Sequence, residues 1–175
     1  MSALGQSGSA AFEALEALGA PLYVTDAQGS VIFCTSACEA VAGREARIGE
    51  DRYCVSHRLY TAAGEPLPHD DCPMAVAVRE RRPVRGVEAI AERPDGTRLH
   101  ILPFPTPIFG EDGAFLGAVN LFVDISEAKR ADYLSAQARR CRRLAKSVGD
   151  AATVETLSRM ADEYEQQAGA IKRPH

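Results

Sequence analysis

The sequence predicts an α+β fold built on an antiparallel sheet with short helices packed against it. Three observations carry this prediction. Residues 83–129 contain three long strand-like runs, Val84–Arg93, Thr97–Phe109 and Ala114–Ile125. They are separated by Pro94-Asp95-Gly96 and Glu111-Asp112-Gly113, and Asp-Gly between apolar runs supplies residues that tolerate the positive φ of a tight hairpin. The last run passes without a break into the polar, helix-forming stretch Ser126-Glu127-Ala128-Lys129-Arg130.

The earlier elements follow in order. Ser9–Leu18 reads as a short helix capped by Ser9, with Phe12, Leu15 and Leu18 on one face and Gly19 and Pro21 as its stop. Leu22–Asp26 and Ser30–Cys34 are strands joined at Ala27-Gln28-Gly29, and Thr35–Gly43 is a helix ending on glycine. Residues 44–73 are the least regular, with a small extra hairpin suggested by Val55–Tyr60, Ala63-Gly64 and Glu65–Leu67. Met74–Arg82 is a short helix entered at Asp71 or Cys72, with Pro73 in its first turn. On the third long strand both faces are apolar, Val119, Leu121 and Val123 on one and Ala118 and Phe122 on the other. A sheet with one wet face alternates more cleanly, so both faces are expected to be covered.

The C-terminal stretch predicts two helices, Ser126–Val148 and Ala151 to about Ala168, the first capped by Ser126 and followed by Gly149, the second capped by Asp150. Leu134, Ala138, Cys141, Ala145 and Val148 recur at spacings of four and three, as do Val154, Leu157, Ala161, Tyr164 and Ala168. The first helix is rich in arginine and the second in carboxylates. Opposite charge on two short-linked amphipathic helices predicts an antiparallel hairpin, with a dimeric coiled coil through the first helix as the rival arrangement.

The order and spacing of these segments over residues 12–130 resemble a PAS domain. The carriers are the opening hairpin, the glycine-ended helix, the Pro-Asp-Gly turn and the closing phrase Val123-Asp124-Ile125-Ser126-Glu127-Ala128-Lys129-Arg130. The resemblance implies a five-stranded antiparallel sheet with short helices on one face. It divides the chain into an N-terminal helix or cap at 1–20, a PAS domain at 21–125 and a helical extension at 126–175. It also implies a sensory or regulatory module, of the kind found in bacterial signal transduction, that binds a small ligand or partner. The signal would leave through the exit helix, with Asp124 and Ser126 as the hinge where strand becomes helix. The alternative is a constitutive dimerisation or interaction adaptor without a ligand.

Composition narrows the remaining choices. With 175 residues, 46% hydrophobic and 25% charged, the chain accommodates one real core and an appendage. A net charge of −4 gives no reason to expect a nucleic-acid partner. No apolar run reaches membrane-spanning length, and the Gly/Ser-rich start does not read as a signal peptide, so a cytoplasmic location is expected. Five cysteines without a Cys-x-x-Cys pair read as thiols. No nucleotide-binding glycine loop, Gly-x-Ser-x-Gly elbow or zinc spacing is present, and the sequence is not expected to encode an enzyme. Apolar surface on the sheet and terminal helices predicts a homodimer, and the resemblance to PAS modules implies a kinase or other signalling protein as a further partner.

The residues able to hold a cofactor cluster between positions 34 and 72. The resemblance puts haem first among cofactors, with His69 as the better iron ligand and His57 the second. Cys34, Cys38, Cys54 and Cys72 are the donors an iron–sulfur cluster takes, but their intervening spacings of 3, 15 and 17 residues follow no ferredoxin pattern. Read without a cofactor, cysteine is a small buried apolar residue. Flavin is disfavoured: the light-sensing relatives carry a glutamine two residues after the strand glycine, a slot that holds Val119 here, with Asn120 one residue off and on the other face. His57, His69, Cys54 and Cys72 are therefore the candidate ligand-contacting residues.

Overall fold

The computed structural model describes residues 7–147 and 150–172. The chain forms two compact units, Met1–Asp124 and Ile125–His175. The first holds α1 (Ser7–Ala17), β1 (Leu22–Asp26), β2 (Val31–Cys34), α2 (Ser36–Ala42), β3 (Arg58–Thr61), α3 (Pro73–Glu80), β4 (Ala89–Glu92), β5 (Arg98–Phe109) and β6 (Phe115–Asp124). One antiparallel sheet runs in the order β2-β1-β6-β5-β4-β3. The expected α+β architecture is present, and the sheet has six strands. The sixth is β3, the first arm of the predicted extra hairpin, which pairs with β4 from Arg58↔Glu92 to Thr61↔Ala89.

Local chemistry explains most element ends. Thr35 caps α2 by accepting from Cys38 N, and Gly43 closes it in the left-handed conformation at φ 69°. The same Thr35 hydroxyl donates to Ala20 O at 2.9 Å and accepts from Leu22 N at 3.2 Å, so one buried side chain ties the helix start to β1. Several boundaries differ from expectation. The first helix begins at Ser7, which places Ser9 inside it rather than at its cap. The predicted strand Val84–Arg93 is a strand only over Ala89–Glu92. Before that, Gly86 turns the backbone at φ 72°, and Val84 N donates to Pro105 O at 3.2 Å. Lastly, α3 stops at Glu80, and Arg81 takes a left-handed φ of 53°.

Pro103, Pro105 and Pro107 alternate along β5. Pairing with β4 reaches only as far as Ile101, so these residues lie beyond it, where a missing N–H leaves no ladder bond unmade.

The core lies on one face of this sheet. Tyr23, Val31, Val55, Met74, Ala75, Ile101, Ala118 and Phe122 are all buried in one cluster. The opposite face is covered at its β2 end, where Phe12 of α1 stacks on Phe33 with ring centroids 4.4 Å apart. Leu121 and Val123 remain 39% and 45% exposed. Of the covers expected for this face, flanking helices or a partner subunit, the chain's own helices leave this end of β6 exposed.

The second unit consists of α4 (Ser126–Ser147) and α5 (Ala151–Lys172), packed as an antiparallel pair. Ala138, Cys141 and Ala161 are buried together with Tyr164 packed against them. Arg142 bridges to Glu165 and to Asp162, the opposite-charge pairing read from the sequence. Thr153 N donates to Asp150 at 2.9 Å, so Asp150 caps α5 as expected. Val148 and Gly149 lie outside the described residues.

Candidate functional site

Strands β1 and β6, side by side in the sheet, carry the polar groups of the core face. Tyr23 pairs with Asn120 and Thr25 with Ala118, and all four side chains are buried. Asn120 uses both ends of its amide: Nδ2 donates to Tyr23 Oη at 3.1 Å, and Oδ1 accepts from Phe104 N at 3.0 Å. Tyr23 Oη donates onward to Tyr53 O at 2.7 Å. Burial, reinforced by the nearby Cys54 and Cys72 thiols, pushes the Tyr23 phenol well above its ordinary range, so it stays a neutral donor. Thr25 Oγ1 is fully buried without a hydrogen-bond partner, a costly state that is uncommon in folded chains.

The thiols border this network. Cys72 Sγ donates to the same Tyr53 carbonyl at 3.9 Å, and Cys54 Sγ accepts from Ser56 N at 3.4 Å. Burial pushes Cys72 up to about 12 and raises Cys54 as well. Cys38 is raised first by its hydrogen bond with the Cys34 thiol and then by burial. All three are held as thiols rather than as the thiolates that bind metal or attack electrophiles.

The two histidines lie elsewhere. His57 is exposed and His69 half-buried, and together they line an open cleft of about 710 Å³ with Arg44, Arg52, Ser56 and Asp70. Burial, then the Arg44 charge, lowers the His69 pKa, which keeps its imidazole neutral at pH 7. The floor of this cleft is anchored by Asp51, which is buried and paired with Arg44 at 2.9 Å and Arg47 at 3.2 Å. Burial opposes the charged carboxylate, but hydrogen bonds from Arg44 and Arg47 outweigh it and hold the Asp51 pKa below 3.8. A depressed carboxyl stabilises the fold above its unfolded pKa, and that contribution is lost as pH falls through the folded value. Asp51→Asn is accordingly expected to destabilise the protein at pH 7, by about 1–3 kcal/mol for lost charged hydrogen bonds. The gap from wild type should close below about pH 3.8 in urea melts run across that range.

The structure thus separates the four candidate ligand residues into two pairs. His57 and His69 come together at the surface, while Cys54 and Cys72 face the interior. Haem does not fit this arrangement, because the histidines line an open cleft and the interior beside the thiols is occupied by Met74 and Tyr23. Among the described residues no group of three or more His, Cys, Asp or Glu side chains converges as a metal ion requires, so an iron–sulfur cluster does not fit either. For flavin, Val119 lies on the face opposite Asn120, and the inward Asn120 amide is already committed to Tyr23 and Phe104. Tyr23 and Thr25 were not singled out in the sequence. Their only signal there is a polar atom at alternate positions of an apolar strand.

No family model and no curated protein matches the sequence. Solved structures do match the fold. The PAS domain of the fruit-fly ELK potassium channel superposes with a TM-score of 0.54 at 16% identity, covering 69% of this chain and 98% of that one. The PAS domain of Bordetella pertussis BvgS gives 0.51 at 19% identity, covering 81% and 99%. The RsLOV d2 variant gives 0.53 at 16% identity and covers 97% of this chain and 99% of that one. At these identities the likeness speaks to the fold, and the chain has the PAS fold.

Proposed function

We propose that this PAS-fold chain is a sensory or regulatory module whose interior state is reported through β6 into α4. The observation that carries the reading is the continuity of β6. The strand holds Asn120 in the buried Tyr23–Tyr53 network, and only Ile125 separates its end at Asp124 from the start of α4 at Ser126. A change in what Asn120 bonds therefore acts on the strand that becomes the exit helix, with Asp124 and Ser126 as the hinge. The unpartnered Thr25 hydroxyl on the same face supports a small polar ligand as the natural trigger. The reading involves no catalysis.

Amide exchange tests this. Asn120→Ala is expected to speed exchange in the first turns of α4 as well as in β6. Native mass spectrometry and an absorbance spectrum of the purified protein would reveal a retained small molecule. Unchanged exchange in α4, with no retained molecule, would sink the sensory reading. A second reading, a constitutive homodimeric adaptor, is favoured by the exposed Leu121 and Val123. Under it, Leu121→Asp converts a dimer to a monomer in light scattering while α4 exchange stays indifferent to Asn120. Among the described residues no helix is long and apolar enough to cross a membrane.

A further inference from the structure

A second cleft, of about 430 Å³, lies at the β1–β2 turn beside the end of α3. Arg52, Arg79 and Arg81 line it together with the rings of Tyr53 and Phe115, and no carboxylate does. We infer that this cleft binds a mononucleotide, its phosphates on the guanidiniums and its base against the rings.

The three arginines differ from their neighbours. Arg44 and Arg47 are spent on Asp51, and Arg82 is paired with Glu80. Among the described residues, Arg52, Arg79 and Arg81 form no ion pair. Arg52 donates to Gln28 O at 2.9 Å and to Tyr53 Oη at 3.2 Å, and Arg79 donates to Asp70 O at 3.3 Å. Those bonds orient Arg52 and Arg79 and leave most of their five-donor guanidiniums free. Guanidinium donors match phosphate oxygens in pairs.

The aromatic part is equally prepared. The Arg52 guanidinium lies 5.2 Å from the Tyr53 ring centroid and that of Arg81 lies 5.4 Å from Phe115, cation–π contacts that set flat aromatic and guanidinium groups side by side along the cleft. Among the described residues, Tyr53 and Arg81 are also the non-glycine residues held at positive φ, 59° and 53°. The fold maintains two unfavourable backbone conformations around one cleft, a pattern that gathers at ligand sites.

The size of the cleft falls within the range of small-molecule sites, roughly 300–1,000 Å³. The whole chain carries a net charge of −4, which repels a long polyanion while leaving the local positive field available to a short one. The site differs from the interior reading above in its side chains, since neither Tyr23 nor Asn120 lines it; the two share Tyr53, whose carbonyl accepts from Tyr23 Oη while its ring lines the cleft.

Isothermal titration of the full chain with ADP, adenosine and pyrophosphate tests the assignment. ADP is expected to bind at one per chain and at least about tenfold tighter than either fragment, since each makes only half of the contacts. Arg52→Ala and Arg81→Gly should each weaken ADP by about 10- to 100-fold, the range for a charge-assisted bond. Glycine is chosen at position 81 because it suits the left-handed backbone and keeps the fold intact, which circular dichroism verifies. Arg47→Ala, in the other cleft, should leave ADP binding unchanged. Absence of ADP binding at millimolar concentration overturns the proposal, as does undiminished affinity in both cleft variants. Equal loss in Arg47→Ala would mean diffuse charge attraction, and pyrophosphate binding as tightly as ADP would mean a bare anion site. A single-stranded oligonucleotide that outcompetes ADP would assign the surface to nucleic acid. Each of these three results also overturns it.

Discussion

Gly117→Ala is expected to be the most damaging single-methyl change in the PAS unit. Gly117 pairs with Asp26 where β6 meets β1 and sits at φ 148°. A Cβ there would lie 2.0 Å from Thr25 O and 3.0 Å from Asp26 C. Both are backbone atoms of a strand held on its two sides by β2 and β6, so neither can move aside without breaking a ladder. The combined clash and backbone strain should cost on the order of 3–5 kcal/mol. That is a large fraction of the 5–15 kcal/mol that holds a typical domain together. Urea unfolding measures it, with Gly113→Ala as the reference. Gly113 is also at positive φ, 77°, but a Cβ added there meets nothing within 4 Å. It should lose only the roughly 1–2 kcal/mol of the left-handed backbone. Equal losses at the two positions would show that the close approach of β6 to β1 does not matter.

Met74→Ala is expected to cost about 2–5 kcal/mol through the cavity it leaves. Met74 is 1% exposed and belongs to the same buried cluster as Tyr23, Val55 and Phe122. Alanine is the better helix former, so propensity works slightly against the loss and the effect reports packing alone. The vacated volume lies in the interior of the PAS fold. An apolar hole of this kind stays dry and takes up small apolar molecules, so a xenon or benzene titration should partly restore the midpoint of Met74→Ala and leave wild type unmoved. A loss under about 1 kcal/mol would mean that the interior closes around the truncation. That outcome would favour a pliable core already suited to a ligand.

The two substitutions probe features of unequal visibility. Strand β1 occupies the residues that its apolar run and the following turn indicate, and α2 lies within the predicted helix Thr35–Gly43, capped by Thr35 and closed by Gly43. Caps and tight turns act within a few residues, so their chemistry is written locally. The pair α4 and α5 was legible for a related reason, because a four-and-three apolar repeat and opposite charges are periodic along the chain. By contrast, Val84–Glu88 has strand-forming composition and is not a strand. Strand identity depends on a neighbour, and β4 pairs with β5 only from Ala89 onward. The recruitment of β3 as a sixth strand was hidden in the same way, since its partner β4 lies some thirty positions along the sequence.

The candidate sites divide along the same line. The sequence by itself determined the PAS-like order of elements, the handover from β6 to α4, and the residue types gathered between Cys54 and Pro73, because each is set by short-range propensity and periodicity. Only the tertiary structure decided where those side chains went. It sent Cys54 and Cys72 inward to become protonated thiols, brought His57 and His69 to a surface cleft, and turned Asn120 toward Tyr23. It also left Arg52, Arg79 and Arg81 out of the ion pairs formed among the described residues. Burial and charge pairing depend on atoms contributed by segments far apart in the chain, and one residue's shift along a strand reverses the face a side chain occupies. No local pattern can carry that information.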